Sequence, residues 1–117
     1  MDGKIIKLAD PVTVYETKYS QIVLREPRGD VFNRLGPPRV PVYNQSAGSG
    51  YFVEQNDTIA AYLKALIDVE DFHTESLLKK LSLVDTLRLR EGLFAFFTEA
   101  EASIAAMRQE PSSSASK

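Results

Sequence analysis

The chain has 117 residues, of which 44% are hydrophobic, and a formal net charge of −2 from 14 basic and 16 acidic side chains. This length and composition predict one globular domain, which we place at residues 1–110. The nearly balanced charge argues against a nucleic-acid partner and against binding to an anionic membrane surface. The absence of cysteine excludes disulfides, thiolate catalysis and the usual structural zinc sites.

We expect no targeting segment and no membrane-spanning segment. The apolar run near the N-terminus is too short for a secretory signal. The longest uninterrupted apolar stretches cover only a few residues, whereas a helix needs about 20 to cross a bilayer. The sequence therefore predicts a protein of a reducing cytoplasm, that of a bacterial host, with no membrane partner.

The β-rich segment 4–25 predicts a small antiparallel β-meander. Its strands are three short runs rich in Ile, Val, Tyr and Leu, at residues 4–8, 12–16 and 20–25. Asp10-Pro11 separates the first two runs, and the hairpin over residues 12–25 shows the alternation of apolar and polar side chains that half-buried strands have. Two or three strands are barely stable alone, so helices must cover one face of this sheet.

The three letters Arg28-Gly29-Asp30 match the tripeptide that adhesion receptors recognise. Pro27 before them lacks a backbone donor, which predicts the end of the preceding strand. Asp30 is a suitable N-cap for a short helix over residues 31–35, which Gly36 ends. The tripeptide therefore marks a strand-to-helix junction, and an adhesion function is not indicated.

Residues 36–57 predict a long loop, because they contain three prolines and three glycines and no sustained period. Loops of this length in small domains are either functional or disordered. The segment Pro37–Pro41 fits a proline-rich docking motif, which an aromatic groove would bind as a left-handed extended helix. The simpler interpretation is a tether, parts of which pack down through a brief strand at Tyr51–Glu54.

The helical region covers residues 58–107. Apolar residues at i, i+3, i+4 and i+7 predict a helix over residues 58–68, capped by Asn56 or Asp57. A polar connection follows over residues 68–75, and then a short helical turn. The fold class that these elements predict is α+β, with the small N-terminal meander followed by three to four α-helices, the last one long.

The last helix is predicted over residues 83–107. Ser82 is its N-cap, and Asp85 lies in its first turn, where an acidic side chain complements the helix dipole. Gly92 is unfavourable in the middle of a helix by about 1 kcal/mol, which indicates close packing at that point. Residues 111–117 are of low complexity and predict a disordered tail.

The apolar side chains of the last helix cover about half of its circumference. The central stripe is Leu83, Leu87, Phe94, Phe97 and Ile104, and it is widened by Leu89, Leu93 and Phe96. Such a wide arc is either the centre of the core or in part a docking surface. The candidate partner-binding residues are Leu89, Leu93, Phe94, Phe96 and Phe97, and we expect Phe96, on the flank, to be the more exposed contact.

The sequence contains no recognisable catalytic constellation. The only histidine, His73, lies among acidic residues, but the glycine of a calcium loop and a second histidine at i+4 are both missing. Gly48-Ser49-Gly50 lacks the lysine that a phosphate-binding loop requires. We therefore expect no enzyme activity, no metal or other cofactor and no small-molecule substrate, and we interpret residues 68–75 as a solvated acidic connection.

Three short motifs occur in order along the chain. The first is Leu24-Arg25-Glu26-Pro27 with Asp30 close behind, the second is Leu81-Ser82-Leu83-Val84-Asp85, and the third is Leu93-Phe94-Ala95-Phe96-Phe97. Over residues 12–100 this order resembles the small tail assembly chaperones of contractile-tailed bacteriophages and related prophages. The segment 36–57 departs from the family because it is longer than expected.

The resemblance implies a protein that binds the tape-measure protein, the long helical rod that sets tail length, until tail-tube subunits replace it. Leu24, Arg25, Glu26, Pro27 and Asp30 match the first family motif, and we interpret them first as fold determinants and second as contacts. An amphipathic client helix needs an apolar groove or helix face, for which the broad apolar arc is the candidate.

Two other interpretations stay open. The chain could be a small structural component of the virion tail, or a cytosolic adaptor that docks a groove-bearing domain through Pro37–Pro41. An apolar arc that the domain leaves uncovered would also favour self-association.

Overall fold

The structure is a computed structural model that describes residues 3–44 and 48–115, with side chains for residues 3–43 and 48–108. Within these ranges the chain has a mixed α+β fold, in which an N-terminal antiparallel hairpin precedes a second hairpin and four helices. The elements are β1 (Gly3–Val14), β2 (Thr17–Arg25), α1 (Gly29–Leu35), β3 (Arg39–Asn44), β4 (Ser49–Glu54), α2 (Asn56–Leu66), α3 (Asp71–Lys80) and α4 (Leu83–Ala115). None of the helices in the described ranges combines the length and the apolar character needed to cross a membrane.

Strands β1 and β2 form one antiparallel hairpin, which turns at Tyr15 and Glu16. Both turn residues have positive φ, 45° and 70°, as a two-residue turn that matches the twist of its strands requires. The hairpin predicted over residues 12–25 is confirmed. The three-stranded meander is wrong, because residues 4–14 lie in one continuous strand.

The pair Asp10-Pro11 does not interrupt β1 because it lies in a bulge. The pairing register with β2 shifts at this point, so Pro11 removes no hydrogen bond from the ladder. Asp85 of α4 accepts hydrogen bonds from the backbone N–H groups of Ala9 and Asp10, at 2.9 and 3.1 Å. A distant carboxylate therefore replaces the missing strand partner.

Helix α1 follows the predicted strand-to-helix junction. It begins at Gly29, after Arg28 in extended conformation, and ends at Gly36, whose φ is 80°. The prediction of Asp30 as the N-cap is wrong, because the helix starts two residues earlier than predicted and its N-cap is Arg28. Asp30 lies in the first turn instead, where its charge complements the helix dipole.

Strands β3 and β4 pair antiparallel, so the long loop predicted over residues 36–57 is wrong, whereas the brief strand predicted at Tyr51–Glu54 is confirmed as part of β4. Val42 lies opposite Tyr51 and Val40 opposite Val53, which are cross-strand pairs of the kind that stabilise sheets. The prolines interrupt the alternating pattern in the sequence, so the strands are hard to recognise there. Residues 45–47 lie outside the described residues. We call this hairpin, residues 39–54, the β3–β4 arm.

The β3–β4 arm is attached to the helices at its base. The Arg39 guanidinium lies over the rings of Phe52 and Phe94, 4.5 and 4.7 Å from their centroids, which joins the arm to α4. The backbone N–H of Gln55 also donates to the carbonyl of Pro38 at 2.8 Å.

The polar connection predicted over residues 68–75 is shorter than expected, because acidic residues favour the first turn of a helix and Asp71 opens α3.

Helix α4 buries only part of its apolar arc. Leu83, Leu87 and Ile104 of the predicted stripe are 73%, 49% and 47% exposed, whereas Leu89 and Leu93 are fully buried. The helical period is confirmed, and the side of the arc that faces the core, which the sequence left open, is the one with Leu89 and Leu93. Because apolar side chains cover half of the circumference, the pattern alone does not determine which part of the arc faces the sheet.

Two contacts determine how α4 lies on the hairpin. One is the Asp85 carboxylate at the bulge of β1. The other is at Gly92, where a Cβ atom would meet Ile6 at 3.2 Å and Leu24 at 3.4 Å, so a larger residue would require these side chains to shift. The core that results contains Ile6, Leu8, Val12, Val14, Ile22, Leu24, Ile59, Tyr62, Leu63, Leu66, Ile67, Leu77, Leu89, Leu93 and Phe96.

Helix α4 continues well beyond the core. All side chains from Thr98 to Arg108 are exposed, and the backbone stays helical to Ala115. The helix end predicted near Met107 is therefore wrong, while the disorder predicted for residues 111–117 stays a prediction; residues 116 and 117 lie outside the described residues. Backbone hydrogen bonds can extend a helix past its last packed turn, so the apolar pattern does not mark its end.

Candidate partner-binding groove

An apolar groove lies between α1, the β3–β4 arm and α4. It consists of two adjoining clefts, which share the side chains of Phe32 and Phe97. The first cleft, of about 210 Å³, is lined by Glu26, Pro27, Arg28, Gly29, Phe32, Phe96, Phe97 and Ala100. The second, of about 380 Å³, is lined by Phe32, Pro37, Pro38, Arg39, Pro41, Tyr43, Phe52, Phe97 and Glu101. We call the two clefts together the aromatic groove.

The aromatic rings of the groove are held in place by contacts with one another and with the buried ring of Tyr62. The Phe97 ring contacts Phe32 at a centroid distance of 5.9 Å and meets Tyr62 edge-on at 5.7 Å. Tyr62 is fully buried, and its hydroxyl donates to the carbonyl of Gly36 at 2.6 Å. Burial raises the pKa of the Tyr62 phenol, so this hydroxyl stays a donor and holds the end of α1 against α2.

The strand-to-helix junction places Phe32 at the groove. Leu24 is fully buried in the core, which anchors the end of β2. The guanidinium of Arg25 donates to the carbonyl of Ala65 at 3.3 Å and lies 3.4 Å from Asp68. Pro27 then ends the strand, and α1 presents Phe32 with 40% of its surface exposed.

The structure divides the predicted partner-binding residues into two groups. Leu89 and Leu93 are fully buried and belong to the core, so they are not contacts for a partner. Phe96 is only 8% exposed, so its prediction as the more exposed contact is wrong, although its edge lines the first cleft. Phe94 and Phe97 are half-buried: Arg39 covers Phe94, and Phe97 forms the floor of the groove.

The first family motif also divides in two. Leu24 and Arg25 stabilise the fold, and Glu26 and Pro27 line the first cleft beside Phe96 and Phe97. Two motifs about 70 residues apart in sequence therefore meet at one cleft. Asp30, which completes the first motif, lies in α1 and does not line either cleft.

Sequence reasoning missed Phe32, the residue that joins the two clefts. The only signal in the sequence was an aromatic side chain in a short predicted helix. In the structure this seven-residue helix has no fully buried residue. A short helix that exposes a phenylalanine is best explained by a neighbour that partly covers the ring, and here that neighbour is Phe97. The packing of α1 on α4 is not encoded in either local pattern.

The surface of the aromatic groove is mainly apolar. Its surface is mainly aromatic and proline carbon, and the first cleft is smaller than the roughly 300–1,000 Å³ of typical small-molecule sites. Glu26 and Glu101 lie at its rim as exposed acids. Among the described residues, no group of three or more His, Cys, Asp and Glu side chains is arranged to hold a metal ion.

A second aromatic cluster lies at the turn of the β1–β2 hairpin. Tyr15 and Phe72 are both 65% exposed and stack at 5.8 Å, and both contact the ring of His73. The interpretation of His73 as part of a solvated connection is wrong, because α3 turns it inward until it is 2% exposed. Its Nδ1 lies 2.6 Å from the hydroxyl of Tyr19, whose pKa is raised by burial and by Glu70.

Comparison of the chain with models of known protein families, with curated proteins and with solved structures found no match.

Proposed function

We propose that the chain is a tail assembly chaperone of a contractile-tailed bacteriophage or prophage, which binds the tape-measure protein and keeps it soluble in the host cytoplasm. One observation supports this proposal above the others. The Glu26-Pro27 motif and the paired phenylalanines Phe96 and Phe97, which carry the family resemblance, line the same cleft. Motifs that only stabilised the fold would have no reason to meet at an exposed apolar groove.

The aromatic groove suits the apolar stripe of a client helix. Helix-in-groove recognition places side chains at i, i+3 or i+4 and i+7 into successive apolar pockets. The two adjoining clefts offer such pockets on either side of the Phe32–Phe97 pair. The contact needs no bond making, so the proposed activity is non-catalytic binding without a cofactor.

The structure gives less support to docking through the proline segment. Pro38 is buried and its carbonyl accepts a hydrogen bond from Gln55, while Pro41 pairs with Phe52 in the arm. An external domain would therefore have to open the β3–β4 arm before it could bind Pro37–Pro41 as an extended helix. As part of the groove wall, the same prolines serve the client directly.

Co-expression with the tape-measure protein of the same tail gene cluster tests the proposal. We expect the wild-type chain to shift the tape-measure protein into the soluble fraction. Phe32→Ala should lower the affinity about tenfold or more, since a central aromatic contact contributes about 1–2 kcal/mol or more to binding. Phe72→Ala is the matched control, because Phe72 is an exposed phenylalanine outside the groove.

Two results would contradict the proposal. One is a tape-measure protein that stays equally insoluble with and without this chain. The other is stoichiometric amounts of the chain in purified virions, which would make it a structural component of the tail, since an assembly chaperone leaves before the particle is complete.

A further inference from the structure

The distal part of α4 projects beyond the hydrophobic core of the domain. Every side chain from Thr98 to Arg108 is exposed, and the helix continues to Ala115, a projection of about 27 Å at 1.5 Å per residue. The radius of gyration is 17.6 Å, compared with about 13 Å for a compact domain of this length. A single helix of this length without packing is marginal in water, so a partner should stabilise it.

The projecting helix carries an apolar seam with alternating spacings of three and four residues. The seam is Phe97, Ala100, Ile104 and Met107, which are the a and d positions of a coiled coil. Ile104 is 47% and Met107 62% exposed, so the seam is open to solvent along the projection. The spacing of 3.5 residues on average is the pattern of helix pairing, and the seam overlaps the aromatic groove at Phe97 and Ala100.

The charged side chains beside the seam are complementary to the same side chains in a second copy of the chain. Glu101 and Arg108 are seven residues apart and therefore occupy the same flanking position, e, in successive heptads. Neither side chain has an ion-pair or hydrogen-bond partner among the described residues. In an antiparallel pair related by a two-fold axis near Ile104, Glu101 of each copy lies beside Arg108 of the other.

The alternative orientation lacks this match. In a parallel pair, an e position faces a g position of the other helix. The g positions are Phe96, which is buried in the domain, and Ser103, which is uncharged. A parallel pair would therefore form no opposite-charge contact and would place the two domains on the same side of the seam.

We propose that the distal part of α4 pairs antiparallel with the same segment of a second copy, through Ile104 and Met107 and two equivalent Glu101–Arg108 ion pairs. The interface is isologous, so each copy uses the same surface and the assembly closes as a dimer. Because the contact is short, the dimer should dissociate on dilution. The inference is independent of the proposed client, because a monomer could bind the client and a dimer could fail to bind it.

A charge-exchange experiment tests the pairing. Light scattering coupled to size-exclusion chromatography should show a concentration-dependent dimer for the wild type. Glu101→Arg and Arg108→Glu should each give monomers, because each variant brings like charges together at both ends of the contact. An equimolar mixture of the two variants should restore the dimer mass, and so should the double variant, because opposite charges meet again. Since both side chains are exposed and lie outside the core, circular dichroism should show unchanged folding.

A seam variant and a distance measurement complete the test. Ile104→Asp should give a monomer that no charge exchange restores. Spin labels on single cysteines, introduced into a chain that has none, should lie close together at Ser103 and farther apart at Thr98, by about 3 Å for each residue away from the axis.

Three results would overturn the inference. They are a wild type that stays monomeric at millimolar concentration, single charge variants that still dimerise, and a mixture that does not recover the dimer. If the wild type is monomeric and Ile104→Asp loses the client instead, the seam belongs to the client helix and the homodimer is excluded.

Discussion

Replacing Asp85 with asparagine tests how α4 is attached to the hairpin. The carboxylate is fully buried and accepts backbone N–H donors from Ala9 and Asp10, at 2.9 and 3.1 Å. In the Asp85→Asn variant the amide oxygen can replace one carboxylate oxygen, but the amide NH₂ group then faces the second backbone donor. Arg88, 3.5 Å from the carboxylate, also loses its charge partner.

The expected loss of stability is about 2–3 kcal/mol. A hydrogen bond to a charged acceptor contributes about 1.5–3 kcal/mol, and a neutral acceptor contributes about half as much. The variant loses one such bond and weakens the other. We take the lower part of the range that these two losses give when added. Ala9 and Asp10 are themselves exposed, so water can bind the freed N–H group.

Urea unfolding followed by far-UV circular dichroism measures this loss. Asp57→Asn is the matched control, because Asp57 also lies in the first turn of a helix but is exposed. The control should lose only its helix-dipole contribution, about 0.3–1 kcal/mol. If both variants lose the same stability, the carboxylate does not hold the β1 bulge and the attachment of α4 has another cause.

The Asp85 carboxylate also predicts that the stability of the fold depends on pH. Burial alone would raise the pKa of the Asp85 carboxyl, but hydrogen bonding from Ala9, Asp10 and Ser82 and the charge of Arg88 together hold it below its ordinary value of about 3.8. A lowered pKa in the folded state stabilises the fold above the unfolded-state pKa, and this contribution is lost as the pH falls through the folded-state pKa. Wild-type stability should therefore fall faster than that of Asp85→Asn below about pH 4, and parallel curves would contradict the assignment.

Three further substitutions test the core by urea unfolding. Gly92→Leu should destabilise the domain by about 1–3 kcal/mol, because its side chain would overlap Ile6; an unchanged midpoint would mean that α4 does not approach the hairpin closely. Phe96→Ala should remove about 3–5 kcal/mol, and a loss below about 1 kcal/mol would show that the ring is not in the core. Tyr19→Phe should remove about 1–2 kcal/mol, since it leaves the buried Nδ1 of His73 without its partner, and a neutral result would mean that this hydrogen bond does not form.

Local patterns predicted the parts of the fold that local chemistry determines. The hairpin over residues 12–25 follows from alternation, and the ends of α1 follow from Pro27 and Gly36. Ser82 was predicted as the N-cap of α4, and its hydroxyl accepts the backbone N–H of Asp85 at 3.1 Å. These features depend on neighbours within about four residues, so the sequence shows them directly.

Long-range contacts were not predictable in the same way. Asp85 fits a helix N-terminus, but its bonds to a bulge 75 residues earlier in the chain carry no sequence signature. The phase of α4 depends on the same contact, so the sequence left open which part of the arc is buried, and the assignment of Phe96 as the more exposed contact was wrong. Strand β3 was missed because proline usually argues against a strand, although Pro41 is tolerated here on a strand that has a free edge; the strand predicted at Tyr51–Glu54 lies within β4.

The candidate groove was predictable in part. Phe96, Phe97, Glu26 and Pro27 were named from sequence, and the structure brings them to one cleft. Phe32 was not named, because its exposure depends on how α1 packs against α4. Leu89 and Leu93 were named as contacts but serve the core, since an amphipathic pattern does not distinguish a core face from a docking face.

Hydrogen–deuterium exchange of the chain with and without a tape-measure segment tests the central claim most directly. The account predicts slower exchange in α1, in the β3–β4 arm and around Phe97 when the client is added. Exchange at the Tyr15 turn and at the start of α3 should stay unchanged. Protection confined to that second aromatic cluster, or no protection anywhere at saturating client, would contradict the assignment of the aromatic groove as the binding site.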